Sequence, residues 1–424
     1  MDIRTIVHKQ FNHVMSKYQD KLSRPEYKFL RQTVYGILSS RHVHLNKIGS
    51  VLGESIRLKK TAGRLSRHLG KENLWSDLLK GHLAVHRREL SGCEYLIGDI
   101  SDISKTYATC MDGLERVHDG SKGEVANGYW LMNLVGVDSS GDRMIPAYSE
   151  LYALKHTDEL LSSENSKILS SIDSVQDILG KDQIFVFDRG GDRRVLLEAF
   201  LKERRHFIIR QTGTRDLHTG KTREALKRVY RRIRLDESIT VTRCRHGKIK
   251  RKHFDCGAMQ VYLPREQGEL YWQTPLWLVV AKQKGRGYCW FLCHLPTNDK
   301  HQAIKMAMRG YGLRWKIEEI HRQIKSDYHL EAVCLQRYVA LKNFNAIFWI
   351  TMSMIYHSFH KWRIQLLTQA DIKVCYQEKW WEYTGFVYYK IAKVIANLLT
   401  KIQFKTIAIF RDCQESKQLA FEFT

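Results

Sequence analysis

The sequence predicts an α/β protein with helical regions at both ends of the chain. Two short apolar runs, Tyr95–Ile100 and Gln183–Phe187, have the length and residue types of buried strands. Patterns with the spacing of amphipathic helices lie before, between and after these runs. The chain has 424 residues, 43% of them apolar, and is therefore long enough for two or three domains around a large core.

An excess of basic residues gives the chain a formal net charge of +24. This excess predicts a polyanionic partner, because each Lys or Arg placed against a phosphate releases condensed counterions. A basic protein without such a partner is the plain alternative. We expect no membrane association, since the N-terminus has no apolar signal segment and the longest apolar stretch, Phe344–Tyr356, is too short to span a bilayer.

Residues 1–85 are predicted to form a small helical domain. Apolar residues recur at helical spacing, as at Phe29, Val34 and Ile37. Basic residues lie on or between these helices: Arg41, Lys47, Lys59, Lys60, Arg64 and Arg67. The segment is compatible both with a DNA-binding domain and with a solvated basic face on an ordinary helical cap.

The next part of the chain has the element order of an RNase H-like α/β core. Three strands are followed by alternating helices and strands, and the core is expected to comprise residues 90–210 and 298–345. Residues 211–297 shift towards β-rich composition with Gly and charged turns, which predicts an insertion within the core. Residues 346–424 are predicted to be a helical C-terminal region.

Acidic residues end two of the predicted strands. Asp99 lies at the end of the first apolar run, and Asp188 follows Gln183–Phe187. In open α/β sheets, functional sites gather at the carboxyl ends of strands. One such acid is usually a turn or helix cap, so the pair alone is only suggestive.

The segment YGLRWKIEEIHRQIK, residues 311–325, is predicted to be an amphipathic helix. Spacings of three and four residues place five side chains on one polar face: Tyr311, Arg314, Glu318, Arg322 and Lys325. A solvated face with i,i+4 ion pairs would give the same pattern. The helix thus supplies a third candidate acid, Glu318, among bases and a tyrosine.

The spacing Y-x-x-R-x-x-x-E-x-x-x-x-x-x-K resembles the YREK signature of bacterial DDE transposases of the insertion-sequence 4 type. The segments GDISDISK, residues 98–105, and FDRGGDR, residues 187–193, resemble the first and second aspartate segments of that family. The acids are 89 (188 − 99) and 130 (318 − 188) residues apart, and the second gap fits a β-rich insertion. The resemblance covers about residues 20–345.

The resemblance implies that Asp99, Asp188 and Glu318 are catalytic and bind two Mg²⁺ ions, for which Mn²⁺ substitutes. The expected reaction is metal-dependent cleavage of transposon ends followed by strand transfer, with a hairpin intermediate as in YREK relatives. This sequence departs from the family at the first acid, where Asp99-Ile100-Ser101-Asp102 stands in place of the usual D-D-T or D-G-T. Asp102 therefore remains a rival for the first acid.

Further residues are assigned to DNA by the same resemblance. Four positions of the predicted helix would contact phosphates: Tyr311, Arg314, Lys325 and Arg322. Trp290 resembles a family tryptophan that stacks on a flipped base, although a buried core tryptophan fits equally well. Arg210 follows a strand and would touch DNA, unless it is a plain salt-bridge partner.

The implied partner is double-stranded DNA, as terminal inverted repeats and as target. Pairing of two ends predicts a homodimer in a synaptic complex, at the nucleoid in a bacterial cytoplasm. Two other functions remain open. One is an RNase H-like nuclease that does not transpose, and the other is a catalytically silent DNA-binding regulator.

Overall fold

The computed structural model describes residues 2–120, 123–154, 163–245, 248–374 and 387–400. Its α-helices are α1 Ile3–Ser16, α2 Arg24–Ser40, α3 Leu45–Ser50, α4 Leu58–Leu69, α5 Leu74–Val85, α6 Arg87–Ser91, α7 Glu164–Leu179, α8 Arg194–Lys202, α9 Leu226–Val229, α10 Lys300–Leu313, α11 Trp315–Ser326, α12 Tyr338–Ser353, α13 Arg363–Val374 and α14 Tyr388–Thr400. Its strands are β1 Tyr95–Ser104, β2 Glu115–Asp119, β3 Glu124–Val137, β4 Met144–Tyr152, β5 Ile184–Phe187, β6 His206–Arg210, β7 Asp216–His218, β8 Arg223–Ala225, β9 Glu237–Arg245, β10 Lys248–Val261, β11 Leu276–Gln283 and β12 Tyr288–His294.

A mixed sheet forms the centre of the molecule. Strands β4, β3 and β1 pair antiparallel, and β1, β5 and β6 pair parallel. Helices α7 and α8 make the connections that parallel strands require. Three antiparallel strands followed by two parallel ones is the order of an RNase H-like core, so the predicted fold class is confirmed.

The segment between β6 and α10 is β-rich, as predicted, and most of it extends the same sheet. Strand β12 pairs antiparallel with β6, and β11, β10 and β9 follow outward. The sequence did not indicate this continuity, because strand pairing is set by contacts between distant segments. The consequence is that β12 lies directly beside the core strand β6.

Strand β1 is longer than the sequence indicates. Its expected end was near Ile100, but antiparallel pairing with β3 continues to Ser104 opposite Gly128. Parallel pairing with β5 covers only Tyr95 to Ile97. The prediction that the first acid ends a strand was therefore wrong: β1 leaves β5 just before Asp99 and continues as an arm of the β1–β3 pair.

The predicted helix of residues 311–325 is divided at Arg314, between α10 and α11. Backbone hydrogen bonds from Arg314 to Tyr311 and from Ile317 to Arg314 span three residues, both at 3.2 Å, so the chain tightens locally. The predicted apolar face is present, since Ile317, Ile320 and Ile324 are buried.

The N-terminal and C-terminal helices pack together. Tyr35 on α2 donates its hydroxyl to the Leu399 carbonyl on α14 at 3.1 Å. The buried Asn343 side chain on α12 donates to the carbonyls of Leu69 and Lys71, both at 2.7 Å.

Helix α12 crosses residue 345, so the predicted limit between core and C-terminal region falls inside one helix. The other domain limits stay predictions, and residues 401–424 lie outside the described part.

Over the described residues, no helix combines the length and the apolarity needed to cross a bilayer.

Two glycines of α10 differ in how closely neighbouring side chains approach them. A Cβ at Gly310 would lie 2.7 Å from Tyr95 Cε1 and 2.8 Å from Ile208 Cδ1, because the helix contacts the sheet there. A Cβ at Gly312 would lie 3.8 Å from Val241 Cγ1, which is ordinary contact. Close approach of helix and sheet therefore requires glycine only at the first position.

We expect Gly310→Ala to destabilise the fold by about 1–3 kcal/mol, because overpacking outweighs the gain in helix propensity. Gly312→Ala is the matched control and should stabilise by about 0.5–1 kcal/mol. Urea unfolding of both variants measures the difference. Equal stability changes would contradict the described packing of α10.

Candidate active site

Asp99 and Asp188 lie at the same level of the sheet. Ile97 of β1 is paired with Val186 of β5, and each acid follows two residues later. Side chains two residues apart in extended chain face the same way, so the two carboxylates approach each other. Asp188 begins the turn Arg189–Gly191 and accepts a 2.7 Å hydrogen bond from the Gly190 N–H.

Glu318 joins this pair through Arg314. The Arg314 guanidinium bonds to the Glu318 carboxylate one helical turn later. Its other terminal nitrogen lies 3.8 Å from Asp99 Oδ2. Glu318 has 45% of its side chain exposed, whereas Asp99 has 21%. Asp99 on β1 and Glu318 on α11, more than 200 positions apart, thus both lie near the Arg314 guanidinium.

The electrostatics of Asp99 agree with this placement. Burial is the main cause that raises its pKa to about 7, and repulsion from Asp188 and Glu318 raises it further. Attraction to Arg314 and a hydrogen bond from the Ile100 N–H oppose the rise. All three acids and the arginine therefore lie within electrostatic reach.

The three carboxylates do not close into a tight ligand cluster in this structure. Among the described residues, one group of three His, Cys, Asp or Glu side chains has all its ligand atoms within 4.8 Å, and it comprises His86, Glu89 and His357. The acid site is looser, with Arg314 in contact with two of its members.

Three predicted DNA-contacting residues meet beside the acids. Arg210, at the end of β6, donates to the Tyr311 hydroxyl at 3.0 Å. The Arg314 guanidinium also lies 5.8 Å from the centre of the Tyr311 ring, within cation–π range. Tyr311 packs on Phe291 of β12 with ring centres 4.8 Å apart. These contacts form an Arg210–Tyr311–Arg314 cluster.

Trp290 lies on the same strand, β12, and is half-buried. Its ring centre is 5.4 Å from that of Tyr230, and its edge faces Gly213, where a Cβ would come within 2.7 Å. The Trp290 indole N–H is buried and has no hydrogen-bond partner among the described residues. Tyr230 and Gly213 thus support the Trp290 ring, as a ring that stacks on a base would require. The base-stacking role stays a prediction.

Asp102, the rival first acid, is neutralised by lysine. Its Oδ1 accepts from Lys325 Nζ at 2.7 Å, and its Oδ2 accepts from the Ser104 hydroxyl at 2.6 Å. The residue is 4% exposed. Lys325 also lies 3.4 Å from a Glu331 carboxylate oxygen, so this YREK lysine is held by acids in the structure.

Arg322 lies apart from these groups. Its guanidinium is 2.7 Å from Glu319, and 61% of its side chain is exposed. The structure therefore brings together Arg210, Tyr311, Arg314 and Glu318, places Lys325 on Asp102, and leaves Arg322 outside. A contact between Arg322 and DNA stays a prediction.

A directional chain of hydrogen bonds ends at His321, beside Asp99. Asn345 donates to the Ser149 hydroxyl at 2.9 Å, and that hydroxyl donates to Asn133 Oδ1 at 2.6 Å. Asn133 must then donate through Nδ2, which lies 2.9 Å from His321 Nε2. The ring proton of neutral His321 therefore lies on Nδ1, 3.8 Å from Asp99 Oδ2.

Burial keeps His321 neutral, because it is the main cause that lowers the pKa of the ring to about 3. The sequence did not predict the hydrogen bonds that join His321 to Asn133, Ser149 and Asn345. His321 stands in the quoted motif, three residues after Glu318, but nothing in the sequence joins it to Asn133, Ser149 or Asn345.

We expect Asp99→Asn to stabilise the protein at pH 7 by up to about 4 kcal/mol, at about 1.4 kcal/mol for each of the three pKa units. The folded pKa of about 7 exceeds the unfolded value of about 3.9, so ionisation of Asp99 costs stability as the pH rises between them. The advantage of the variant should therefore shrink towards pH 4. Urea unfolding at both pH values, in chelator, measures it, and a variant less stable at pH 7 would contradict the crowding of charge.

Residues 162–355 match the sequence model of a family described as a transposase DDE domain. No curated protein matches the chain in sequence. A cryo-electron microscopy structure of a piggyBac transposase synaptic complex with hairpin DNA is similar to the chain, with a TM-score of 0.43 and 11% identity. That similarity covers 95% of this chain and 78% of the other.

The matched segment contains Asp188 and Glu318, and the remaining acid, Asp99, lies beside them on β1. The resemblance of the YREK segment to DDE transposases agrees with the family match, and the insertion-sequence 4 type is consistent with it. Residues 162–355 of this chain are therefore similar to the transposase DDE domain family.

Proposed function

We propose that Asp99, Asp188 and Glu318 hold two divalent cations, Mg²⁺ or Mn²⁺, for cleaving transposon ends and joining them to target DNA. The observation that carries the proposal is the convergence of the three acids, seen in the β1–β5 register and in the raised pKa of Asp99. The donor set fits, because Mg²⁺ prefers carboxylate oxygens. Bound there, the cations would activate the attacking oxygen and stabilise the leaving oxygen at phosphorus.

Arg314 has two roles in this proposal. Without cations it offsets the charge of Asp99 and Glu318. When cations neutralise those acids, its guanidinium is released to bind a phosphate of the DNA end bidentately. Tyr311 and Arg210 supply further donors on the same side. Lys325, held by Asp102, would complete the phosphate contacts.

The proposed route uses one site for every step. Water attacks a phosphodiester at the transposon end, forms a new P–O bond and releases a 3′-OH. That hydroxyl attacks the opposite strand to give a hairpin, water reopens the hairpin, and the 3′-OH finally attacks target DNA. Each step exchanges one P–O bond for another, so no external energy source is needed. Support for the hairpin is the YREK resemblance, and Trp290 would stack on a base displaced from it.

Exposed basic residues between β8 and β9 suit the backbone of double-stranded DNA. Lys227, Arg228 and Arg231 are exposed, and no ion pair joins them to an acid within the described ranges. Nearby Arg223 and Arg232 are instead paired with Asp216 and Glu224.

Pairing of two transposon ends would require a homodimer.

Glu318→Gln should abolish cleavage and strand transfer, with a loss of about 10³-fold or more, because it removes a cation ligand. Binding of the transposon end should remain. Glu319→Gln is the matched control, since Glu319 neighbours Glu318 on α11 but pairs with exposed Arg322. A denaturing gel of labelled inverted repeats with Mg²⁺ separates nicked, hairpin and transferred products.

Full cutting by the Glu318→Gln protein would overturn the assignment. Cleavage without strand-transfer product, and without preference for the repeats, would favour a nuclease. Binding without cleavage by the unmodified protein would favour a DNA-binding regulator.

We infer further that His321 positions Asp99. Its Nδ1 lies 3.8 Å from Asp99 Oδ2, and the hydrogen bonds through Asn133, Ser149 and Asn345 fix the tautomer and the position of the ring. Partners behind a metal ligand commonly tune it in this way. His321 touches no substrate in this proposal and acts through Asp99.

Two amide replacements separate this role from mere packing. The amide nitrogen of Asn overlays Nδ1, so His321→Asn keeps a donor near Asp99, whereas His321→Gln extends its amide towards the Nε2 position. We expect His321→Gln to lower the cleavage rate about 10–100-fold with partial rescue by excess Mg²⁺, and His321→Asn to lose less. Equal losses without rescue would contradict the positioning role.

A further inference from the structure

A cluster of metal-ligating side chains lies outside the acid site. His86 stands between α5 and α6, Glu89 lies in α6, and His357 lies in the π-helical turn Met354–Ser358 after α12. One potential ligand atom from each lies within 4.8 Å of the other two. The cluster joins chain segments 271 residues apart (357 − 86).

His86 is the member whose state most needs explanation. Its side chain is buried, with only 3% of the residue exposed, and its Nδ1 has no hydrogen-bond partner among the described residues. A buried polar atom without a partner costs free energy. Neighbouring His82 differs, because both its ring nitrogens have partners at 2.8 Å, the Tyr18 hydroxyl and the Pro146 carbonyl.

The other two members complete a ligand set. The rings of His86 and His357 are 5.3 Å apart and nearly perpendicular. The Glu89 carboxylate forms no ion pair within the part of the chain that is described. Two neutral imidazoles and one carboxylate are typical ligands of Zn²⁺, with water in a fourth position.

Electrostatics favours the neutral form of both histidines, which is the form that binds a metal ion. Burial, the main cause, lowers the pKa of His86 and lowers that of His357 to about 4, so both rings are neutral near pH 7. Lys17 and Arg143 add positive charge near the rings and would oppose a cation. Glu89 supplies the compensating negative charge.

We propose that His86, Glu89 and His357 bind one Zn²⁺ ion, which would fasten the helix pair α5–α6 to the turn after α12. Zn²⁺ ligands lie about 2.0–2.2 Å from the ion, so modest side-chain movement is enough to close a cluster of this size. A π-helical turn fits this role, because such turns are frequent at functional sites. The ion gives the orphaned His86 nitrogen a partner.

The test is Zn²⁺ binding by the full chain after removal of metal with a chelator. The protein should take up one tightly bound Zn²⁺ per chain, measured by competition with a chromogenic chelator, and its melting temperature should rise. Co²⁺ should give the visible absorption of a low-coordinate site. Glu318→Gln protein should behave alike, because the acid site is elsewhere.

His357→Gln and Glu89→Gln should each weaken Zn²⁺ binding more than about 100-fold, since loss of a second-shell partner alone costs 10–100-fold. Glu89→Gln is isosteric and partly exposed, so its folding is preserved even if His357→Gln perturbs the π turn. His301→Gln is the control, because this histidine is 56% exposed and pairs with Glu237.

Equal Zn²⁺ uptake and equal melting shifts in the unmodified protein, Glu89→Gln and His357→Gln would overturn the proposal. So would the absence of tight Zn²⁺ binding by the unmodified protein.

Discussion

Repulsion among carboxylates brought to one level of the sheet is the constraint on which the site depends. Parallel pairing of β1 with β5 places Asp99 beside Asp188, and α11 adds Glu318. Water cannot fully solvate the partly buried Asp99, so the metal-free fold needs a compensating cation. Arg314 fills that need and joins α11 to β1 through charge. In the proposed function, the same crowding that destabilises the acids would favour binding of divalent cations.

The β-rich insertion contributes to the site because it continues the core sheet. Strand β12 lies against β6, which places Phe291 under Tyr311 and Arg210 beside it. An insertion folded as a separate layer would leave Arg210 and Tyr311 without this support. The Arg210–Tyr311–Arg314 cluster is thus a product of sheet pairing, and it lies next to the acids where phosphates would be held.

Local patterns were enough to predict part of this arrangement. Apolar runs located the start of β1 and the whole of β5, and helical spacing identified the buried face Ile317, Ile320 and Ile324. Features set by contacts between distant segments escaped prediction: the extension of β1 along β3, the hydrogen bonds behind His321 and the pairing of Lys325 with Asp102. The break between α10 and α11 at Arg314 also escaped prediction, as did the approach of that residue to Asp99.

The most direct test of the central claim is a crystal structure of the protein with transposon-end DNA and Mn²⁺, with the ions located by anomalous scattering. The account predicts two peaks about 3.5–4 Å apart, bounded by Asp99, Asp188 and Glu318, with Arg314 turned from Glu318 to a phosphate. Ions bound elsewhere, or coordinated by Asp102 in place of Asp99, would contradict it.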